Sequence, residues 1–396
     1  ARMFQLEDDS RTDLGLVELV GEIGNAGLLR VTGAGRLGGD LANGPSGQVE
    51  VDGVLDAAGF AIANAGQMTV ADTGAVEGAG ALSNDGTLRV EGRLVADSIG
   101  NDGELIADGA EIAAEIENRG RMTVTGDVAV DGDMRNLGTL RSDGEATLRL
   151  ADGRTFRNEG DVDGRAGPLT IVAETIELVR DIDTAVVDLV GRVVTFADLV
   201  FSRDGRLTGD LNIGATGNAS VRADIDADGF DVRNDGQLTI GRDRLVLPDD
   251  IGRLTGIGTF ENRGSTDILA RSTLAADQSV NRAGGRLTVG GTLTGDVTND
   301  LGATLRLDGG TLRGDVASAG TLGGTGTITG RLTNTGEAAF AGAVDVLDNR
   351  GTFTTGGDLD AGAVLNAARL TVADGDVLST ERGLSNGGDL VLQGGT

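Results

Sequence analysis

The sequence lacks several residue types on which common active sites depend. Its 396 residues contain no His, Cys, Trp, Tyr or Lys. Without His there is no Ser-His-Asp triad, no histidine zinc site and no imidazole base, and without Lys there is no Schiff base or P-loop lysine. What remains is an arginine base or the paired carboxylates of glycosidases. Acidic pairs such as Asp161/Asp163 and Asp181/Asp183 arise by chance at this density of acidic residues, so we expect that the protein is not an enzyme.

Positive charge is also scarce. The 33 basic residues, all Arg, stand against 62 acidic residues, which gives a net charge of -29. Phosphate contacts need a basic surface, so we expect no nucleic-acid partner. No run of residues approaches the roughly eighteen apolar residues that span a bilayer, so we expect no direct membrane insertion. The absence of Cys fits export and the cytoplasm equally.

Proline is rare and glycine is abundant, with three Pro and 68 Gly. Pro would remove hydrogen-bond donors from strands, whereas Gly suits a chain with many bends. Asn-x-Gly turns, or close variants of them, recur about every eighteen residues, and a fixed period indicates a repeat architecture. The units begin at Asn25, Asn43, Asn64, Asn84, Asn101, Asn118, Asn136, Asn158, Asn234, Asn262, Asn281, Asn299, Asn334, Asn349, Asn366 and Asn386.

An alternating apolar segment follows each turn. In the unit at Asn84, the apolar Leu88, Val90 and Leu94 alternate with polar residues, and a period of two residues predicts a strand. Asn and Gly would supply the left-handed or otherwise tight backbone of each corner, because Gly has no Cβ and Asn tolerates the αL region. We expect the corner asparagines, such as Asn101, to stack and to hydrogen-bond from one coil to the next.

These features predict an all-β, right-handed parallel β-helix (β-solenoid) with about 18–20 residues per coil. An antiparallel meander is the main alternative, since Asn-Gly turns also join hairpins. A meander needs a turn about every eight to twelve residues, whereas these units are longer and contain secondary glycine corners such as Gly92 and Gly132. Disorder is the alternative for an acidic, Gly-rich chain, but it does not fit the regular alternation.

The repeat divides the chain into segments. The predicted segments are an amino-terminal cap or lead-in at 1–20, regular coils at 21–165, irregular and more apolar coils at 166–233, and regular coils at 234–396 that continue beyond the chain end. Within the irregular segment, the apolar stretch from Val186 to Phe201 is a candidate lateral contact surface. The alternative is that this segment consists of ordinary coils with different corners. A break at 246–250, Val-Leu-Pro-Asp-Asp, indicates a loop.

One stretch matches a calcium-binding loop. Acidic residues occupy positions one, three, five and twelve of a segment with Gly229 at position six, as in an EF-hand loop that wraps oxygens around a hard cation. Asp231 at position eight departs from the pattern, because such loops carry an apolar residue there. An acidic corner between coils is the alternative, and calcium is the one cofactor that the sequence suggests, with none required. The candidate metal ligands are Asp224, Asp226, Asp228, Phe230 and Asp235.

The repeat itself is similar to that of a known group of proteins. Residues 81–92, Ala-Leu-Ser-Asn-Asp-Gly-Thr-Leu-Arg-Val-Glu-Gly, resemble the coils of filamentous-haemagglutinin-like exoproteins and autotransporter passengers. The resemblance covers most of residues 21–165 and 234–396. It implies a long right-handed parallel β-helix that is exported to the bacterial surface and acts as an adhesin, stalk or shed fibre. No translocation barrel or amino-terminal secretion domain is recognisable in the sequence, which departs from those families.

We therefore expect a non-enzymatic, extracellular segment with a structural or adhesive role in a bacterial surface fibre, stalk or adhesin. Its expected partners are other copies of itself or further chain segments of a surface assembly, and a glycan or a host-cell surface. One alternative is a virion or phage surface protein, similar to a tailspike, that binds or cleaves glycan. A second alternative is a calcium-dependent surface-layer lattice protein, for which bound ions at the coil corners would be the mark.

Overall fold

The protein folds from strands, turns and bends alone in the part of the chain that the structure describes. The structure is a computed structural model, and it describes residues 3–6, 11–183, 187–241 and 251–394. Within these residues there is no helix, so none that is long and apolar enough to cross a membrane. The two compact units of the chain are Ala1–Ile182 with Val186–Arg192, and Asp183–Ala185 with Val193–Thr396. The predicted loop at 246–250 lies outside the described residues.

The strands of the first unit range from three to twelve residues in length. They are β1 (Met3–Leu6), β2 (Arg11–Val20), β3 (Glu22–Asn25), β4 (Leu28–Gly38), β5 (Leu41–Asn43), β6 (Gln48–Val51), β7 (Val54–Asp56), β8 (Ile62–Asn64), β9 (Gln67–Val70), β10 (Ala75–Asn84), β11 (Thr87–Val90), β12 (Arg93–Asn101), β13 (Glu104–Asp108), β14 (Glu111–Asn118), β15 (Arg121–Val130), β16 (Met134–Asn136), β17 (Thr139–Leu150), β18 (Thr155–Asn158), β19 (Asp161–Asp163) and β20 (Leu169–Leu178). Two further strands contain residues of both units, β21 (Ile182–Asp183) and β22 (Val187–Thr195).

The strands of the second unit range from two to fifteen residues in length. They are β23 (Asp198–Phe201), β24 (Gly205–Arg206), β25 (Leu211–Ile213), β26 (Asn218–Val221), β27 (Asp224–Asp226), β28 (Val232–Asn234), β29 (Gln237–Ile240), β30 (Arg253–Asn262), β31 (Ser265–Ile268), β32 (Thr273–Asn281), β33 (Arg286–Val289), β34 (Thr292–Asn299), β35 (Thr304–Arg313), β36 (Val316–Ser318), β37 (Thr321–Asn334), β38 (Glu337–Asn349), β39 (Thr352–Asn366), β40 (Arg369–Val372), β41 (Leu378–Thr380), β42 (Leu384–Asn386) and β43 (Asp389–Leu392).

Strands pair in parallel with their counterparts one coil further along the chain. In the first unit, Asn84 lies opposite Asn101, Asn101 lies opposite Asn118, and Asn136 comes next in the same column. A coil takes 17 or 18 residues in this region. The described residues of the two units form about 19 turns of about 19 residues each. The predicted parallel β-solenoid is therefore confirmed, and the antiparallel meander is wrong.

Each strand turns alternate side chains into the interior of the coil. In β11, Leu88 and Val90 are fully buried, whereas Thr87 and Arg89 lie on the outer side. The largest buried rings are Phe156, Phe260, Phe340 and Phe353. Burial of a Leu, Val or Phe side chain contributes about 1.5–3 kcal/mol. The apolar interior therefore accounts for much of the attraction between neighbouring coils, as the alternation in the sequence predicts.

Close approach between coils explains the corner glycines. Gly86, Gly103, Gly120 and Gly138 all have φ outside the left-handed region. A Cβ on Gly103 would lie 2.7 Å from the carbonyl carbon of Asp85 in the preceding coil, and closer still to the carbonyl oxygen of Gly86. The other three corners show the same overlap. The left-handed backbone that the sequence predicted for these glycines is wrong, and glycine is required instead because the preceding coil approaches so closely.

The segment 166–233 keeps the coil but changes the residue at the asparagine corner. In the first unit, Leu178 lies opposite Asn158. In the second unit, Thr195 lies opposite Ile213, which in turn lies opposite Asn234. Leu178, Thr195 and Ile213 are all buried. The corner position thus points inward here as well, with other side chains in place of the amide.

The described part of residues 1–20 also belongs to the stack. Strand β1 pairs in parallel with β3, and β2 pairs in parallel with β4. The predicted cap or lead-in therefore contributes strands of the same kind as the coils that follow it.

Candidate functional site

The corner asparagines of the first unit form a continuous hydrogen-bonded ladder. From Asn25 to Asn136, each side-chain Nδ2 donates to the Oδ1 of the asparagine one coil further on, at 2.7–2.8 Å, and Asn158 is the last acceptor. Most Nδ2 groups also donate to a backbone carbonyl, as Asn101 does to Arg121 at 3.0 Å. Asn84 and Asn101 are fully buried. The predicted stacking of these side chains is confirmed, and their burial shows that they are not exposed turn residues.

The ladder of the second unit has two parts. The first part contains Asn234, Asn262, Asn281 and Asn299, and the second contains Asn334, Asn349, Asn366 and Asn386. Ser318 occupies the corner between them and accepts a hydrogen bond from Asn299 Nδ2 at 3.1 Å. The Oδ1 of Asn334 is buried without a hydrogen-bond partner. The corner at Ser318 was not predicted from the sequence, although Ser-Ala-Gly at 318–320 is a variant of Asn-x-Gly.

The candidate calcium ligands lie along a strand and the turn that follows it. Asp224 and Asp226 form the two ends of β27 and are exposed. Asp228 lies in the turn, with a φ of 51°. The Oδ1 of Asp226 accepts the backbone N–H of Asp228 at 3.0 Å. Phe230 and Asp235 come later in the chain and are half-buried.

Arginines contact the carboxylates of this stretch. The pairs are Asp224 with Arg253 at 3.1 Å, Asp228 with Arg206 at 3.5 Å, and Asp235 with Arg233 at 3.0 Å. Across the described ranges, no group of three or more acidic side chains is placed to hold a metal ion. The arrangement is that of an acidic, arginine-paired corner between coils, and calcium binding at these residues stays a prediction.

The first of the two acidic pairs, Asp161/Asp163, is also contacted by arginine. Asp163 accepts hydrogen bonds from the Nε of Arg165 at 2.8 Å and from its backbone N–H at 3.0 Å, and these bonds lower the pKa of Asp163. Asp161 pairs with Arg180 at 3.2 Å. A glycosidase acid needs a raised pKa, which is the opposite shift. In the second pair, the side chain of Asp183 lies outside the described part of the chain.

A network of ion pairs on the outer surface of the first unit links successive coils. At its centre is Glu159, which accepts hydrogen bonds from Arg135 at 2.9 and 3.1 Å and from Arg157 at 2.7 Å. Arg135 also contacts Glu117 at 3.3 Å, and Arg157 contacts Glu177 at 2.9 Å. The hydrogen bonds from Arg135 and then Arg157 lower the pKa of Glu159 to about 2. The sequence did not reveal this network, because all its pairs except the neighbouring Arg157 and Glu159 are about twenty residues apart and meet only through the coil register.

Replacement of Glu159 by glutamine is expected to destabilise the protein at neutral pH and to matter less in acid. The pKa of Glu159 is lowered in the folded chain, so its stabilising contribution is complete above about pH 4.5 and is lost as the pH falls toward about 2. Wild type and Glu159→Gln should differ by about 0.5–1 kcal/mol in free energy of unfolding at pH 7. Urea titrations across the acid range should show this difference shrinking, and a difference independent of pH would refute the assignment.

The candidate lateral contact surface is partly interior. Val186 lies outside the described residues. Val187 and Leu199 are buried in the coil, whereas the ring of Phe196 is 43% exposed. The apolar density of the stretch from Val186 to Phe201 therefore supplies inward side chains as well as one exposed ring. Its role as a contact surface stays a prediction.

The described surface also has shallow grooves beside the asparagine corner. One passes the small outward residues Gly24, Ala42 and Ala63. Another lies where the outward residues of successive coils change from small to charged, and its charged residues include Glu117 and Arg135. These grooves follow from the size of the outward side chain in each coil, and the charged one contains part of the ion-pair network.

A scan against family models, a search of the curated proteins and a search of the solved structures each found no match. The β-solenoid architecture is consistent with the resemblance to β-helix exoproteins.

Proposed function

We propose that this chain is a non-enzymatic, extracellular β-solenoid segment with a structural and adhesive role in a bacterial surface fibre, stalk or adhesin. The observation that carries the proposal is the asparagine ladder of the first unit, in which seven hydrogen bonds join eight buried asparagines. In such a stack each coil contacts only its neighbours, so coils can be added without a new core. That property suits a spacer or a stalk.

The outer positions support an adhesive role. Next to the ladder, Gly100, Glu117, Arg135 and Arg157 lie opposite one another in successive coils. The inward corner residue stays the same over these coils, while the outward one changes from small to acidic to basic. Outward residues can therefore be matched to a partner at little cost to the stack. The partners that we propose are further copies or segments of a surface assembly, and a glycan or host-cell surface.

Surface labelling tests this function directly. Antibodies raised against the purified chain should label intact cells that produce it, and external protease should remove the label. The control is an antibody against a cytoplasmic protein of the same cells, which should label them only after permeabilisation. Labelling of the chain that also requires permeabilisation would overturn the extracellular assignment.

The two alternatives lead to other results with the purified chain. A glycan-cleaving virion protein would release new reducing ends from polysaccharide. A calcium-dependent lattice protein would lose thermal stability on chelation and would form ordered sheets when calcium is restored. For the structural role that we propose, we expect no new reducing ends and a melting temperature that chelation leaves unchanged.

A further inference from the structure

One corner of the second unit interrupts the side-chain ladder. Asn299 Nδ2 donates to Ser318 Oγ, but this hydroxyl does not donate to Asn334 in the next coil. It reaches only the carbonyl of Gly320 in the same corner, at the long distance of 3.5 Å. Asn334, one coil further on, therefore has a buried Oδ1 that no group reaches. A buried acceptor without a donor is a direct cost to the folded state. The contact between the coil that ends at Ser318 and the next one is thus weakened from within.

The coil that follows Ser318 also has less apolar material inside it. In β37, Gly324 lies between Leu307 of the preceding coil and Phe340 of the following coil. A Cβ at this position would lie 3.0 Å from the carbonyl carbon of Leu307 and closer still to its oxygen, and φ is 96°. No side chain other than hydrogen is compatible with that geometry. One inward position that holds a Leu or a Phe in the adjacent coils is therefore empty of side chain in β37.

Ion pairs do not compensate on the outside of this contact. Elsewhere in the second unit they bridge neighbouring coils, as Arg282 does to Asp300 at 3.3 Å and Arg331 does to Asp348 at 3.0 Å. Within the described part of this unit, no ion pair joins β35 or β36 to β37. Single side-chain hydrogen bonds still cross the contact, from Asn299 Nδ2 to the carbonyl of Thr321 at 3.1 Å, from Thr335 Oγ1 to the carbonyl of Ser318 at 3.2 Å, from Thr329 Oγ1 to the carbonyl of Leu312 at 3.4 Å and from the backbone N–H of Arg331 to Asp315 Oδ1 at 2.8 Å. Together with the backbone hydrogen bonds of the parallel strands and the remaining apolar contacts, they hold the two coils together.

The coils beyond this contact are well connected to one another. The ladder resumes with hydrogen bonds of 2.9 Å from Asn334 to Asn349 and 2.8 Å from Asn349 to Asn366. The rings of Phe340 and Phe353 are fully buried in the same coils. A weak contact followed by strong ones divides a stack into blocks that open separately, because stability in a repeat protein is a sum of nearest-neighbour terms.

We propose that the second unit has a built-in opening point between Ser318 and Thr321. The described coils from β37 onwards, which we call the distal block, unfold together while β30 to β36 stay folded. This behaviour goes beyond the proposed function and does not depend on it. In a chain under load or exposed to proteases, such a point fixes where the stack gives way first and leaves the preceding coils intact.

Hydrogen exchange on the full chain, followed by mass spectrometry at increasing urea, tests the opening point. Peptides throughout the distal block should share one free energy of opening, and that value should be lower than the value for peptides from β30 to β36. Progressive fraying would instead give values that rise smoothly from coil to coil. A smooth gradient, or a single value for the whole described unit, would overturn the proposal.

Substitution at the corner supplies the second measurement. Ser318→Asn supplies a donor for Asn334 and keeps an acceptor for Asn299, so opening of the distal block should become about fivefold rarer. The matched control is Ala317→Asn, which adds the same side chain at the exposed neighbouring position and should leave exchange unchanged. If Ser318→Asn fails to fold, the exchange pattern of the wild-type chain decides by itself. Unchanged exchange of the distal block in a folded Ser318→Asn variant would overturn the proposal.

Discussion

Replacement of Gly103 by alanine is expected to lower the free energy of unfolding of the first unit by about 3 kcal/mol or more. The added Cβ would lie 2.7 Å from the carbonyl carbon of Asp85 and closer still to the carbonyl oxygen of Gly86. Both are backbone atoms held in parallel pairing, so no side chain can move aside to relieve the overlap. The coils would have to separate at the corner, which would also stretch the asparagine ladder beside it.

Gly100 provides the matched control for this change. It lies three residues earlier in the same coil, in β12, and a Cβ there would have no atom within 4 Å. Gly100→Ala should therefore change the free energy of unfolding by less than about 0.5 kcal/mol, or raise it slightly by restricting the unfolded chain. Urea denaturation followed by circular dichroism would compare the two variants. Equal stabilities would show that close approach between coils is not what requires glycine at position 103.

Replacement of Asn101 by leucine is expected to cost about 1–3 kcal/mol. Asn101 accepts a hydrogen bond from Asn84 and donates one to Asn118, both at 2.7 Å. After the change, the Oδ1 of Asn118 would be buried without a donor, whereas the Nδ2 of Asn84 would keep its bond to the carbonyl of Glu104 at 3.0 Å. The loss comes mainly from the stranded acceptor, because the leucine itself suits an apolar interior.

The same change at the end of a ladder should have a smaller effect. Asn386 accepts a hydrogen bond from Asn366 at 2.6 Å, and its own Nδ2 donates to the carbonyl of Gly388. Asn386 is exposed, so water can replace the bonds that Asn386→Leu removes. We expect a loss below about 0.5 kcal/mol, from thermal and urea melts of both variants. If the loss at position 386 matches that at 101, the ladder interior has no special role.

The sequence predicted the coil well because its two signals act at different scales. The alternation of Leu88, Val90 and Leu94 reports which side of a strand is buried, and the return of asparagine at Asn84 and Asn101 reports the length of one coil. Each signal is local and each survives without any knowledge of neighbouring coils. Together they predict a parallel stack. When the same inward corner residue recurs once per coil, it lies opposite the same residue of the next coil only if the strands are parallel.

Features that arise between coils were harder to predict. The reason for Gly103 was missed because the overlap is with Asp85 and Gly86, whose positions depend on the stacking distance and not on the φ of the glycine itself. Ser318 was not predicted as a corner because the repeat was recognised by its asparagines. The serine hydroxyl accepts a hydrogen bond from Asn299 but does not donate one to Asn334. Both errors concern the contact of one coil with the next, which a single repeat does not contain.

The surface was predicted least. Glu159 meets Arg135 only through the coil register, and only the neighbouring Arg157 lies close to it in the sequence. The calcium motif from Asp224 to Asp235 illustrates the opposite problem, since its spacing assumes a loop that wraps around an ion. In the structure Asp224 and Asp226 belong to a strand that directs both outward, and Asp224 contacts Arg253.

The ladder of the first unit has a direction. Every Nδ2 from Asn25 to Asn136 donates toward the coil that follows, so all the side-chain amide dipoles point the same way. A peptide-like amide has a dipole of about 3.5 D, and aligned dipoles in a chain polarise one another. The ladder therefore forms a permanent dipole inside the protein, with its negative end at the Oδ1 of Asn25 and its positive end at the Nδ2 of Asn158. The electrostatic potential therefore has opposite signs at the two ends, so a carboxyl probe placed near Asn25 should have a raised pKa and one placed near Asn158 a lowered pKa.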